Sequence, residues 1–162
     1  MELRDATLDD AAAIAAIYNH FVLTTTISFE EERATDADMG QRIAAVRDAD
    51  LPWLVAIVDD NVAAYAYATR WRVRPAYRYS VETSVYVAPA LARQSLGHAL
   101  YQVLLERLRR QGIHLAVGGI ALPNDASIAL HEKMGFEKVA HFSEVGFKFD
   151  RWIDVGYWQL RL

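Results

Sequence analysis

The chain has 162 residues and a mass of 18.3 kDa, with 53% apolar and 23% charged side chains. This composition supports one buried core and excludes a disordered, collagen-like or coiled-coil chain, and the absence of cysteine excludes a disulfide scaffold, a thiolate metal site and a Cys nucleophile. The net charge of −4 speaks against a general nucleic-acid binder. No apolar run approaches the ~18 residues of a membrane span.

The opening MELRDATLDD is polar and acidic, which predicts no export signal and a cytoplasmic protein. A short strand is expected at residues 2–4. Thr7 with Asp10, and Thr35 with Asp38, read as capping boxes that open two helices. The first carries an apolar stripe through Ile14, Ile17, Tyr18 and Val22, and ends at Thr24–Thr25–Thr26; the second runs to about Val46. A hairpin follows, with strands at Trp53–Val58 and residues 62–71 around an Asp59–Asp60–Asn61 turn. Pro75 interrupts the chain before a strand at Ser80–Val87, which Pro89 closes.

A helix is predicted over residues 97–111, with Gly112 as its C-terminal cap. Residues 114–122 lack alternation, which predicts a strand buried on both faces. A short helix over 124–134 and strands at 136–141 and 155–160 complete the chain. Early hairpins and later strand–helix–strand units argue for one domain with a mixed, twisted sheet of six to seven strands and helices on both faces.

Three segments could carry chemistry. The unit VETSVYVAPALARQSLGHAL runs from a strand through a loop of small residues into a helix. The first-turn N–H groups of such a helix lack partners and its dipole favours negative charge, so Arg93, Gln94, Ser95, Leu96, Gly97 and His98 would rim an anion site. An ordinary strand-to-helix turn has the same spacing. In LPNDASIALHEKMGF, Asn124, Ser127, Ile128 and His131 share one helix face opposite Leu130 and Met134. That polar stripe is either solvated or lines a site. His131–Glu132 lacks a second His four residues on, where Gly135 stands, so no metal is expected. In TRWRVRPAYRYSVE, four arginines alternate with aromatic residues, which suits a small acid, phosphates or a solvated edge strand. Glu82 follows inside an apolar strand, paired with an arginine or kept as a base. The first fifty residues hold 11 acids and 4 bases, the remainder 10 and 13, which places an anionic ligand in the later part.

Together these segments resemble the GNAT superfamily of acetyl-CoA-dependent N-acetyltransferases, over nearly the whole chain. The pieces TTTISF, PWLVAIVD, VETSVYV, GIALPNDASIALHEKMGF, VGFKFDRW and DVGYWQL resemble more narrowly the enzymes that acetylate phosphinothricin, methionine sulfoximine or methionine sulfone. The resemblance implies a GNAT fold and acetyl-CoA as co-substrate, with direct attack of an amine on the thioester. The family's pyrophosphate loop falls on residues 92–97, where Ala92 and Ser95 depart from its pattern and Gly97 keeps it.

It further implies main-chain contacts from Val85, Tyr86 and Val87 to the pantetheine arm and thioester, with Asn124, Ser127 and Lys133 also at the cofactor. Glu82 would be the general base and His131 would assist it or protonate the leaving thiolate. Phe29, Arg72, Arg74 and Tyr77 would hold the acceptor, with Thr26 beside Phe29. The resemblance and the C-terminal aromatics imply a homodimer. The alternatives are a different acceptor, such as a peptide N-terminus, and an acyl-CoA-binding module with little turnover. A nucleic-acid or membrane partner is not expected.

Overall fold

The computed structural model describes all 162 residues. In chain order the elements are β1 (Glu2–Asp5), α1 (Ala11–Thr24), α2 (Asp36–Asp48), β2 (Trp53–Val58), β3 (Asn61–Arg70), β4 (Ser80–Val87), α3 (Leu96–Arg110), β5 (Leu115–Ala121), α4 (Asp125–Lys133), β6 (Glu137–Lys148) and β7 (Arg151–Arg161). The strands form one seven-stranded sheet in the order β1-β2-β3-β4-β5-β7-β6. Every neighbouring pair is antiparallel except β4 and β5.

Local chemistry sets these boundaries. The Thr35 hydroxyl accepts from Asp38 N at 3.0 Å and the Asp38 carboxylate accepts from Thr35 N at 2.9 Å, closing the box that starts α2. At Thr7 the box instead starts a single 3-10 turn over Leu8–Asp10, from which α1 continues. There the Asp10 carboxylate also takes both terminal guanidinium nitrogens of Arg4, at 2.8 and 2.9 Å. The β2–β3 and β6–β7 turns are two-residue turns in which Asp59, Asp60, Phe149 and Asp150 are all left-handed, the hand that matches strand twist.

The sheet separates two cores. Leu54, Ala64, Ala66, Ala68 and Val81 face α3, which packs through Leu100, Leu104 and Leu108. Trp53, Val55 and Tyr65 face the other way, against Ile14 and Tyr18 of α1 and Met39 and Ile43 of α2. Alternation along β3 thus places alanines under α3, where the backbones approach, and tyrosines under the smaller helices.

The parallel pair β4–β5 is short. Only Ser80, Val81 and Glu82 pair, with Leu115, Ala116 and Val117. Beyond Glu82 the strands diverge and the sheet forks, leaving the β5 side of β4 without a partner strand.

The last two strands are much longer than the sequence pattern predicts. They form a 12- and 11-residue hairpin rather than short strands at 136–141 and 155–160. Register shifts at Lys138/Ala140 and Phe142/Gly146 break the alternation that would have marked a long strand. The second irregularity is held by Asp154, which accepts from Glu144 N and pairs with His141 Nε2, both at 2.8 Å.

Candidate active site

The fork opens into a groove of about 470 Å³ between β4, the α3 N-terminus and α4. Val85, Tyr86, Val87, Arg93, Gln94, Ser95, Leu96, Gly97, His98, Asn124, Ser127 and Lys133 all line it. The twelve residues expected at a cofactor are therefore brought together, from three segments of the chain. The main-chain N–H groups of Gln94, Ser95, Leu96, Gly97 and His98 make no hydrogen bond to backbone oxygen. Arg93 and Ser95 are both left-handed, with φ of 72° and 59°. Left-handed residues in such a turn aim successive N–H groups into one concavity, the form of an anion-binding nest. An added Cβ at Gly97 would meet Leu130, Val85 and Val87 at 3.4–3.6 Å, ordinary van der Waals contact, so the helix start packs closely against β4 and α4 without excluding a methyl.

Asn124 caps α4 by accepting from Ser127 N at 3.1 Å, which sets its side chain at the mouth of the groove. Lys133 lies on the same wall at the far end of that helix.

Glu82 stands at the branch point of the fork. It is the last β4 residue paired to β5, and its side chain lies on the α1 face with Ser84 and Tyr86. No hydrogen bond or ion pair from another side chain reaches its carboxylate. Burial alone raises its pKa above the ordinary glutamate value. The carboxylate lines a cavity of about 610 Å³ with Phe29, Glu30, Tyr157, Val145 and Gly119. A smaller pocket, lined by Thr83, Ser84, Val85, Gly119, Asn124 and His131, lies between this cavity and the groove and shares lining residues with both.

His131 lies on the opposite face from Glu82 and is 3% exposed. Its Nδ1 is 2.7 Å from the Ser127 carbonyl and its Nε2 is 2.9 Å from the Tyr101 hydroxyl. A carbonyl only accepts, so Nδ1 carries the proton, and Nε2 accepts from Tyr101. Thr83 Oγ1 stands 3.2 Å from the Tyr101 hydroxyl and 3.5 Å from Val117 O. Burial is the main cause that lowers the His131 pKa below its usual value, against the Ser127 hydrogen bond. The ring is neutral near pH 7. Burial likewise raises the Tyr101 hydroxyl far above the usual phenol value.

Of the residues expected at the acceptor, Phe29 lines the Glu82 cavity. Arg72 reaches its rim indirectly: its guanidinium lies 5.2 Å over Trp71, whose ring meets Tyr157 edge-on at 5.7 Å. Arg74 precedes and Tyr77 ends the exposed turn Pro75–Tyr77, and they line neither cavity. The loop that carries Phe29 is fixed by a polar cluster. Tyr18 donates to the Glu30 carboxylate, Ser28 Oγ lies 2.9 Å from the Tyr18 hydroxyl, and Arg42 grips Glu30 with two bonds of 2.9 and 2.6 Å.

Sequence reasoning missed the glycine pair that separates the two titratable groups. A Cβ at Gly118 would fall 2.6 Å from His131 Nε2, and one at Gly119 would fall 3.0 Å from Tyr157 and 3.4 Å from Glu82 Oε1. Two adjacent glycines in a strand, where they cost stability, were the available signal. Tyr101 and Thr83 are not singled out in the sequence, and the network reveals them. No cluster of three His, Asp or Glu side chains is placed to hold a metal ion, and no helix is long and apolar enough to cross a membrane.

Comparison with known proteins bears on the family and the fold. The acetyltransferase (GNAT) domain profile matches residues 3–156. Phosphinothricin N-acetyltransferase of Streptomyces viridochromogenes is 40% identical over 159 residues, covering 98% of this chain and 86% of that protein. The L-methionine sulfoximine/L-methionine sulfone acetyltransferase of Salmonella typhimurium is 41% identical, covering 100% of this chain and 95% of that protein. The crystal structure of a phosphinothricin acetyltransferase from Sinorhizobium meliloti in complex with AcCoA superposes with a TM-score of 0.96 at 34% identity, covering 99% of this chain and 88% of that one. With a matching profile over nearly its full length and relatives this similar, the chain belongs to the GNAT acetyltransferase family.

Proposed function

We propose that this protein transfers the acetyl group of acetyl-CoA to the amino group of a small amino-acid-like acceptor of the phosphinothricin, methionine sulfoximine or methionine sulfone kind. The observation that carries the reading is Glu82: a half-buried, unpaired carboxylate at the point where an anion-binding groove and an open cavity converge.

The groove fits acetyl-CoA on its own chemistry. Five N–H donors without backbone acceptors suit a pyrophosphate. The free edge of β4 at Val85, Tyr86 and Val87 offers main-chain groups to the amide-bearing pantetheine arm, as an added strand would. The same edge supplies fixed dipoles for the oxygen of a thioester under attack. Asn124, Ser127 and Lys133 form the opposite wall.

Glu82 accepts the proton that the acceptor amine must lose. Desolvation makes it a stronger base than an exposed glutamate, and such proton transfer contributes about 10²–10⁴-fold. His131 takes a supporting part. Its Nδ1–H is bound to the Ser127 carbonyl and its Nε2 accepts from Tyr101, so the neutral ring has no free proton for a departing thiolate and its part is to hold the Tyr101 hydroxyl in place. Phe29 and Tyr157 form the acceptor's apolar walls, and Arg72 at the rim, with Arg74 and Tyr77 on the neighbouring turn, attracts its acidic end.

The reading extends to a homodimer. Val139, Phe142, Val145, Phe147 and Trp152 of the β6–β7 hairpin are each more than half exposed, apolar surface of the kind that subunits cover. It also extends to a cytoplasmic enzyme that confers resistance to an acetylatable herbicide. It includes no nucleic-acid or membrane partner.

The test is CoA release from acetyl-CoA followed with a thiol dye, to which the cysteine-free chain is silent. L-phosphinothricin, L-methionine sulfoximine, L-methionine sulfone, glutamate, spermidine and a short peptide form the acceptor panel. Saturable release with one of the first three supports the reading. Acetyl-CoA binding without release across the panel overturns the acceptor class, and no binding at all overturns the cofactor.

A further inference from the structure

Lys148, near the end of β6, is 1% exposed, yet no carboxylate pairs with it. A buried ammonium without a counter-ion is costly, and an apolar side chain of the same length would remove that cost. Its ammonium instead donates to two carbonyls, Val22 O at 2.7 Å and Ser28 O at 2.6 Å, and lies 5.1 Å from the Phe149 ring centroid. Val22 belongs to the last turn of α1, where carbonyls lack helical partners and the dipole favours a cation. Ser28 lies beyond the helix, immediately before Phe29. One side chain therefore bridges the two ends of the loop that leaves α1, across more than a hundred residues of chain.

The neighbouring inward position on β6 completes the arrangement. Gly146 receives the Phe29 ring: an added Cβ would fall 2.5 Å from two of its carbons. Phe29 is thus seated on Gly146 while Lys148 holds the carbonyl of the residue before it.

We propose that Lys148 is a positioning residue for the acceptor site, which ties the loop between α1 and Glu30 to the β6–β7 hairpin so that Phe29 closes the cavity containing Glu82. The inference rests on the reading of that cavity as the acceptor pocket. It explains why a cation is kept at a position where packing alone would favour methionine. Lys148 touches neither cavity described above, so its effect passes through Ser28 and Phe29.

The test compares Lys148→Met and Lys148→Arg with the unaltered enzyme. The expected result for Lys148→Met is an acceptor KM raised about tenfold or more, with the acetyl-CoA KM unchanged within about twofold. Lys148→Arg, which keeps charge and donors, restores part of the loss. A purely structural role would lower the active fraction, and hence kcat for all substrates, without moving the acceptor KM; that outcome overturns the proposal. Amide hydrogen exchange supplies a readout that needs no substrate. Exchange at Ile27 and Glu30, whose N–H groups bond to Thr25 and Ser28 hydroxyls, should quicken tenfold or more in the Met variant while α3 stays protected. Unchanged exchange there overturns the proposal even if the acceptor class is wrong. Should Lys148→Met fail to fold, Lys148→Gln, which keeps N–H donors without charge, carries the same comparisons.

Discussion

The Tyr101 hydroxyl donates to Nε2 of His131 across 2.9 Å, joining α3 to α4 through the buried face of the fork. The bond fixes the imidazole as the Nδ1–H tautomer, since Nδ1 already faces the Ser127 carbonyl. Removing it with Tyr101→Phe leaves Nε2 and the Thr83 hydroxyl short of a partner. Unfolding free energy should fall by about 1–3 kcal/mol. Turnover should fall as well, but less than on loss of Glu82. Denaturant titration alongside steady-state kinetics checks both.

Glu82→Gln separates catalysis from stability. With the proposed base removed, kcat/KM should drop by about 10²–10⁴. The fold loses a desolvated carboxylate that nothing neutralises, so Tm should hold or rise. A variant with unchanged turnover would remove Glu82 from the mechanism.

The same two groups set the acid behaviour. Glu82 accepts a proton only when ionised, so the rate should fall as pH drops through its pKa, which burial raises. That limb should stand above the ordinary glutamate range and vanish in Glu82→Gln. His131 works the other way on stability. Its folded pKa is lowered mainly by burial, so the unfolded chain binds the proton more readily. Its contribution is complete above about pH 6.5 and is lost as pH falls from there through the folded pKa, by up to about 1.4 kcal/mol per pH unit. His131→Gln should remove that component of the slope in urea melts run from pH 7.5 to 5.

Adjacent glycines should respond unequally to alanine. At Gly118 the new methyl would occupy the position of the His131 ring, so the ring must move and the Tyr101 bond with it. Overpacking of this kind costs about 1–3 kcal/mol. At Gly119 the nearest atoms are a Tyr157 edge carbon and a Glu82 oxygen, both beside the open cavity. The loss there should appear chiefly in the acceptor KM, with little change in Tm.

Ser95→Gly tests the loop at the groove. Ser95 adopts φ 59° and ψ 14°, which glycine reaches without Cβ strain. The variant should be as stable as the parent or more so, and should bind acetyl-CoA at least as tightly by calorimetry, because the donors are main-chain N–H groups.

Much of this was legible beforehand. The capping boxes, the Asp59–Asp60 turn and the apolar stripes mark their elements by local chemistry that tertiary contacts do not override. Residues 93–98 are marked by the strand–loop–helix unit that holds them, whereas Val85, Tyr86, Val87, Asn124, Ser127 and Lys133 rest on the later helix and on the family resemblance; all twelve line the groove. The acceptor side was harder. Arg74 and Tyr77 look like Arg72 in the sequence, yet Pro75 turns them outward. Lys148 falls beyond the strand predicted at 136–141 and carries no signal of its own, and only the packing of the α1 loop against the hairpin reveals that it is enclosed. Irregular register along β6 hid the hairpin itself: the shift at Lys138/Ala140 exchanges its faces, and the one at Phe142/Gly146 interposes two extra residues.

The divergence of β4 from β5 after Glu82 has a kinetic consequence. The groove follows the unpaired edge of β4 toward α3 and α4, whereas the acceptor cavity lies against α1 and the hairpin, so each ligand has its own entrance. Neither needs to leave before the other arrives. Initial-rate plots at several fixed concentrations should therefore intersect rather than run parallel. Free CoA should compete with acetyl-CoA and not with the amine, the inhibition pattern of a sequential ternary complex.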